Sequence, residues 1–493
     1  MMVNGPAQDK DFTIVIYGGC LAGHAARAAL SRSLSPQHKI IHIAPDETPA
    51  CAALYGNATG PSGYELFRAV GLEEPDLVTS TNTSFSFGTL FQNWPSRSTQ
   101  WVQCFVPPFT GVQDLAFDSV VNFHGGNLQS YLISAQAALA GKFAHPPGDP
   151  KNPLSRAEYG YHFAVDDITK TIRSKSTASN VEHISGQLQG VAATNGVINH
   201  ITLTSGRSVA GDLFIDASGT ERALMEPLQA EFIAQRSLRA STARSHAPQL
   251  GAPCKVVTAE DYGWYSVSPL QGYNSLLRVT GAVEAYPALP PGFAKYESQF
   301  DFQTGTLKKA WIGNCVALGN SASVFEPLTP APMTLLQRSL KALTELMPST
   351  SNMEVEAKEF NRLHDEDTQN ASSFHRAHFL CENPPETTYW QSASDTTICP
   401  RLRRKITQFD SRGLFVRYDY EPFNTEDWAI LHYGMGRRPR RGDVRLQAMH
   451  GTERILDTMS SAISSLVSRM PPHHQYLTKF KEYLEKKQND HAR

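Results

Sequence analysis

The stretch that most constrains the fold lies near the start of the chain. Residues 13–17 read TIVIY, a glycine turn G-G-C-L-A-G follows over residues 18–23, and an alanine-rich run over 24–34 leads to KIIHI at 39–43. A short, continuously apolar run is the mark of a strand buried on both faces, and such strands belong to parallel sheets. Parallel neighbours need a crossover, and the alanine-rich segment has the composition of a helix. The resulting β-α-β unit predicts an α/β fold with a doubly wound, Rossmann-type module. In a dinucleotide turn the first glycine makes the bend, the second lets the pyrophosphate approach, and the third lets helix and strand pack closely. Gly18 and Gly23 hold the first and third places and Cys20 holds the second. The helix start behind them offers free N–H groups and a partial positive charge to an anion. The acid that usually closes the second strand and holds the ribose is displaced, since Ile43-Ala44 stand there and Asp46 and Glu47 follow. This segment alone predicts either a bound dinucleotide or a domain that keeps the geometry without the ligand.

Further along, residues 181–219 carry short strands broken by turn signals. Asn195-Gly196 between alternating apolar segments predicts a hairpin. DLFIDASG, residues 212–219, predicts a return to the parallel sheet, and WIGNCVAL at 311–318 a later strand. Apolar spacing near 3.6 predicts a helix over 333–346. Residues 146–153 read as a loop, and 371–400, rich in His, aromatics and Pro, as the lining of a lobe or groove. Two amphipathic helices are expected over 452–470 and 476–487, split by Pro471-Pro472.

Composition excludes several classes. The net charge is −2, so no global field favours nucleic acid or a membrane surface. The basic run at 436–441 is short and flanked by acids, as expected of a solvated or locally paired loop. No apolar run approaches the roughly 20 residues of a membrane helix, and residues 1–12 lack the apolar core of a signal peptide. Seven scattered cysteines without CxxC or HExxH predict reduced thiols, a cytoplasmic setting and no metal site. His375 and His378, with Glu382 nearby, lack the further ligand a metal needs. His162 is expected to be a hydrogen-bonded structural histidine, Cys20 an inert packed thiol, and His473-His474 exposed.

Several segments, in order over almost the whole chain, resemble the flavin-dependent tryptophan halogenases. GGCLAGH at 18–24 is similar to that family's GGGTAGW, and YGNATGP at 55–61 to its V-G-E-A-T-x-P. TSFSFG at 83–88 resembles T-F-K-x-G, EYGYHFA at 158–164 resembles A-Y-H-F-D, and LFIDASG at 213–219 resembles the D-x-S-G strand end. NCVALGNSASVFEPL at 314–328 resembles N-C-V-A-I-G-x-x-x-G-F-x-E-P-L, while YGMGRRP at 433–439 and MPPHHQYL at 470–477 resemble the C-terminal region. The resemblance implies an FAD module of the aromatic-hydroxylase kind with a β-meander over 11–115, 158–235 and 305–346. It implies a largely helical substrate lobe and C-terminal helices over 116–157, 236–304 and 347–493. By position it places FAD on Gly18, Gly19, Cys20, Ala22, Gly23, Asn57, Ala58, Asp216, Gly219 and Gly319. It places an aromatic substrate on Phe105, Phe109, Trp264, Tyr389, Trp390 and Trp428. A separate flavin reductase is implied as partner, and a dimer is compatible with the pattern.

The chain departs from that family where the chemistry lies. There, hypohalous acid formed at the flavin reaches a lysine near the substrate, and a glutamate helps remove the ring proton. Ser86 stands at the lysine position and Thr329 at the glutamate position, while Glu326 matches an earlier, non-catalytic glutamate. Pro332 falls on a glycine whose N–H helps hold chloride, and proline has no N–H. Of W-x-W-x-I-P only Trp264 and Pro269 remain. These losses favour an FAD-dependent monooxygenase that hydroxylates an indole or phenol, free or within a peptide. Two alternatives stay open: a silent accessory or binding subunit that has lost FAD, and a true halogenase whose catalytic residues are displaced.

Overall fold

The computed structural model describes residues 12–45, 49–94, 96–112, 114–175, 178–281, 287–381, 384–394 and 398–491. At its centre is β1, Thr13–Tyr17, followed by helix α1, Leu21–Ser33, and β2, Lys39–Ala44. Both strands are parallel, with Ile14 opposite Ile40 on one side and opposite Leu213 on the other. Ile14, Val15 and Ile16 are fully buried, which is why their run is apolar on every residue. Every residue of α1 from Leu21 to Leu30 is buried, and its alanines let the helix lie close on the sheet.

The six-stranded sheet runs in space as Trp311–Ile312, Cys315–Ala317, Leu213–Asp216, β1, β2 and Val181–Ser185. Leu213–Asp216 returns parallel to β1, as its sequence predicts. The hairpin at Asn195-Gly196 joins strands Leu188–Thr194 and Val197–Leu203, and both turn residues have positive φ, 52° and 77°. The strand expected over 311–318 is instead two short strands, Trp311–Ile312 and Cys315–Ala317, paired antiparallel. Gly313, at φ +54°, makes the bend, and Asn314 is held by paired side-chain bonds to Ile198 N and O.

A second, eight-stranded sheet forms the floor of the site. Its order is Ser323–Val324, Ser298–Leu307, Phe232–His246, Tyr273–Thr280, Gly263–Leu270, Lys255–Glu260, Gly88–Gln92 and Gln100–Cys104. Residues 236–304, grouped by sequence with a helical lobe, therefore contribute mainly strand. A register shift between Ala234 and Arg236 turns Arg236 towards the interior. Helices Ala331–Glu345 and Glu354–Ala377 cover the other side of the site, and Thr452–Arg469 and His473–His491 close the C-terminal part. The loop expected at 146–153 is irregular up to a 3-10 turn at Pro153–Arg156. No helix among the described residues is long and apolar enough to cross a membrane.

Candidate functional site

The glycine turn is built as a dinucleotide cradle requires. Gly18 has φ +145°, and a Cβ there would lie 2.0 Å from Ala217 O. A Cβ on Gly23 would lie 2.2 Å from Gly18 O, so the strand–helix contact needs glycine at both places. His42 Nε2 holds Gly18 O at 2.9 Å, and the His24 ring meets His42 edge-on. Burial lowers the pKa of His42 to about 3 and of His24 to about 2, so both stay neutral. Asp216 is spent inside the frame. Its Oδ1 accepts from Ser218 N, Ser218 Oγ and Ser321 Oγ, and its Oδ2 from Leu224 N and Met225 N. Asn57 donates to Ser275 Oγ at 2.8 Å, and Ala58 bridges His162. The acids expected for the ribose, Asp46 and Glu47, lie outside the described residues.

The space in front of this frame belongs to the chain itself. A 3-10 turn, Ala50–Tyr55, lies against the turn that follows Asp216 and against Gly319. A Cβ on Gly219 would meet Cys51 Sγ at 2.6 Å, and one on Gly319 would meet Tyr55 Oη at 2.2 Å and Ala22 Cβ at 3.0 Å. Cys20, Cys51 and Tyr55 are 2%, 6% and 1% exposed. Burial, with the neighbouring Cys51, raises the Cys20 thiol pKa, as expected of an inert packed cysteine. The backbone frame thus fits FAD, while the side chains in front of it must move to admit the group. Replacing two of these three side chains, Tyr55→Val with Cys20→Gly, should tighten FAD binding about tenfold by flavin fluorescence titration. Unchanged affinity would show that the turn does not obstruct the cradle.

The second part of the site lies beside the eight-stranded sheet. Ser86 is buried and locked in the bend at Gly88: its Oγ donates to Gly88 O and accepts from Gly88 N, both at 3.2 Å. Thr329 is buried, and its Oγ1 accepts from Ala331 N at 3.4 Å. A polar row crosses one face of the eight-stranded sheet. Gln103 pairs with Thr89, Thr89 with Lys255, and Ser268 with Ser275, while the register of Val256 with Val267 puts Lys255 and Ser268 on one face. Lys255 is fully buried, and its ammonium donates to Pro327 O at 2.7 Å, two residues before Thr329. Burial lowers its pKa to about 7 from 10.5.

A folded-state pKa below the unfolded one means that folding favours the neutral amine. Native protein sheds this proton from about pH 7, and the unfolded chain only near 10.5. Stability should therefore rise with pH across that window through this group, by about 1.4 kcal/mol per pKa unit. Lys255→Met should be more stable than the parent near pH 7 in urea melts, with the gap narrowing or reversing towards pH 10. A gap independent of pH would contradict the burial of this amine.

The aromatic candidates do not share one place. Phe105 lines a cavity of about 210 Å³ together with Thr329, Gln103, Phe374 and Phe423. Phe109 lines a different, apolar cavity of about 220 Å³ with Phe117 and Ile463. Trp264 and Tyr389 are instead buried on Glu326: Trp264 Nε1 donates to its Oε2 at 2.9 Å and Tyr389 Oη at 2.5 Å. Trp390 donates to Glu260 O, and Trp428 to Glu421 Oε1 at 2.7 Å while packing edge-on against Phe374. Glu326 also takes Arg236 as ion-pair partner and has His375 Nε2 at 3.8 Å. Burial pushes its pKa up, but Arg236, His375 and Tyr389 more than offset this and hold it at about 2. Glu326→Gln leaves Arg236 buried without its counter-charge and should cost about 3 kcal/mol in denaturant unfolding. A loss within the scatter of surface substitutions would contradict this role.

His162 is buried with Nδ1 3.2 Å from Ser84 Oγ, a structural placement. His473, expected to be exposed, is 1% exposed, because the start of the last helix tucks it onto Gly251 O at 2.8 Å. His378 is held on Phe374 O, Glu382 lies outside the described residues, and no metal-ligand cluster occurs among the described residues. In the basic run, Arg437 donates to Ala377 O and Leu380 O, as a locally paired loop does.

A family model described as tryptophan halogenase matches residues 13–451. The chain belongs to the tryptophan halogenase family. It is 22% identical to the tryptophan 7-halogenase RebH of Lentzea aerocolonigenes, over 94% of this chain and 98% of that protein. It is 22% identical to the tryptophan 6-halogenase ThaL of Streptomyces albogriseolus, over 80% of this chain and 81% of that protein. Among solved structures, BrvH, a flavin-dependent halogenase from Brevundimonas sp. BAL3, superposes with a TM-score of 0.87 at 24% identity, covering 96% of this chain and 99% of that one. Xcc4156 of Xanthomonas campestris gives 0.86 at 23% identity, over 95% and 98%. The tryptophan halogenase family uses FAD, so the cradle and its obstructing turn are the part of this chain to weigh against its kin. Lys255 escaped the sequence reading. Its signal was the alternation in CKVVTAE, where Lys255 shares a face with the buried Val257.

Proposed function

We propose that this protein is a flavin-dependent oxidoreductase that halogenates an electron-rich aromatic ring, with Lys255 supplying the amine that Ser86 cannot. The observation that carries the reading is the buried Lys255 amine, held on Pro327 O two residues before Thr329 of the cavity wall. Family membership supports the reaction class and moves this reading ahead of the hydroxylation that sequence alone favoured. Bound FAD, reduced by a separate reductase, would react with dioxygen to supply the oxidising equivalent that converts halide to hypohalous acid. Gly18, Gly19, Ala22, Gly23 and the α1 N-terminus would hold it once the Ala50–Tyr55 turn is displaced.

The remaining steps belong to the chain's own groups. With a pKa of about 7, Lys255 is substantially neutral at physiological pH and nucleophilic. Its nitrogen takes the halogen from hypohalous acid, forming an N–halogen bond and releasing water. The ring carbon then takes the halogen as an electrophile, and the amine leaves with the electron pair of that bond and recovers a proton. The ring proton makes up the proton that the departing amine recovers, so the transfer balances without a further base. Phe105, Phe374 and Phe423 offer the reacting ring an apolar wall.

Hydroxylation is the second reading, favoured by one observation. Pro332 offers no N–H, and the Ala331 N–H is directed at Thr329 Oγ1, so the backbone donors that hold halide in the family are missing here. The two readings part in one assay with the full chain, FAD, a flavin reductase, an indole and bromide. Halogenation predicts a monobrominated product, lost about a hundredfold in Lys255→Met and kept within about twofold in Ser86→Ala. An oxygenated product formed equally without halide would replace this reading with hydroxylation.

A further inference from the structure

The cavity beside Thr329 is unusual in what it lacks. Its aromatic wall is Phe105 with the stacked pair Phe374 and Phe423, whose ring centres are 4.0 Å apart. Its polar wall is made of acceptors. Gln103 is 6% exposed, its Nε2 donates to Asp427 O, and its Oε1 is left buried without a donor. The Glu158 carboxylate finds no hydrogen-bond donor and no cation among the described residues, and its pKa is raised by burial and by the Glu426 charge. Asp427 accepts from Asn424 N and faces the charges of Glu426, Glu158 and Glu421. The nearby cation is already committed: the Lys405 ammonium sits on Glu421 at 2.8 Å and over the Trp428 ring. No lysine or arginine lines the cavity.

A buried acceptor without a donor is costly, and so is a carboxylate pressed against others without a counter-charge. Both costs are removed by a ligand that brings donors and positive charge with an aromatic body. A ligand ending in a carboxylate adds a further anion to a wall that has no cation to receive it.

We propose that this cavity selects an aromatic substrate bearing a protonated amine and no carboxylate, the ammonium lying on Glu158 and Asp427 and a ring or amine N–H on Gln103 Oε1. This rests on the reading of the cavity as the substrate site, and it adds the substrate's charge to that reading. It also separates this chain's chemistry from that of a free amino acid, which carries both charges. The class of reaction that supplies such a compound is a decarboxylation or an amine-forming step upstream.

The test is binding, read without flavin or halide, so its outcome is independent of the reaction. Full-length protein is titrated calorimetrically with tryptamine, indole, indole-3-acetate and L-tryptophan. Tryptamine is expected to bind about tenfold or more tightly than indole, L-tryptophan more weakly than tryptamine, and indole-3-acetate not measurably. Glu158→Gln should bring the tryptamine-to-indole ratio close to one while the indole affinity and the melting temperature hold, and Asp427→Asn should act in the same direction. Equal or tighter binding of L-tryptophan or indole-3-acetate, no binding of any of the four, or an unchanged ratio in both variants would overturn the proposal. Tight tryptamine binding by a protein that forms no halogenated product would leave this proposal standing and remove the halogenation reading alone.

Discussion

One buried carboxylate ties the two halves of the molecule together. Glu326 closes the segment that leaves the short strand Ser323–Val324, and it is met from the eight-stranded sheet by Arg236 and Trp264 and from the helical side by Tyr389 and His375. A buried anion is tolerable only when its lone pairs and its charge are both answered, and here both are. The consequence is positional. With Glu326 fixed, Pro327 presents its carbonyl to Lys255 and Thr329 faces the aromatic cavity. Two side chains that look by type like a substrate wall, Trp264 and Tyr389, are therefore part of the scaffold that holds the site.

The polar row across the sheet places one amine inside the core. Gln103, Thr89, Lys255, Ser268 and Ser275 share one face, and all but Ser275 are nearly or fully buried. A hydrophobic row would pack there more cheaply. A lysine in such a place is held by one carbonyl and is close to shedding its proton at neutral pH, which turns a costly residue into a usable amine. At the other end of the site the balance is reversed. Cys20, Cys51 and Tyr55 are buried beside the glycine turn, with Cys51 against Gly219 and Tyr55 against Gly319.

Much of this was legible in the sequence, for physical reasons that can be named. The run TIVIY has to be a doubly buried strand, and Asn195-Gly196 can take the two positive φ angles its hairpin needs. Gly18 and Gly23 were legible because a Cβ at either place would collide with backbone. The split of residues 311–318 was hidden because a single glycine in an apolar run does not say whether it bends. The burial of His473 was hidden because the partner that accepts it, Gly251 O, is remote in sequence. Lys255 was passed over because a lysine is read as solvated, and the alternation that puts it inside is only six residues long. The obstruction by Tyr55 was equally hidden, since it depends on how a turn after β2 folds back on Gly319.

The central claim is that Lys255 is the amine that carries the halogen. Brief exposure of the purified protein to limiting hypochlorous acid, followed by sulfinate trapping of N-chloramines and peptide mapping, reads this directly without flavin, reductase or substrate. The account predicts that Lys255 is marked ahead of the solvent-exposed lysines and that marking rises as pH passes through about 7, where its proton is lost. Labelling confined to surface lysines, with Lys255 untouched at every pH, would contradict it.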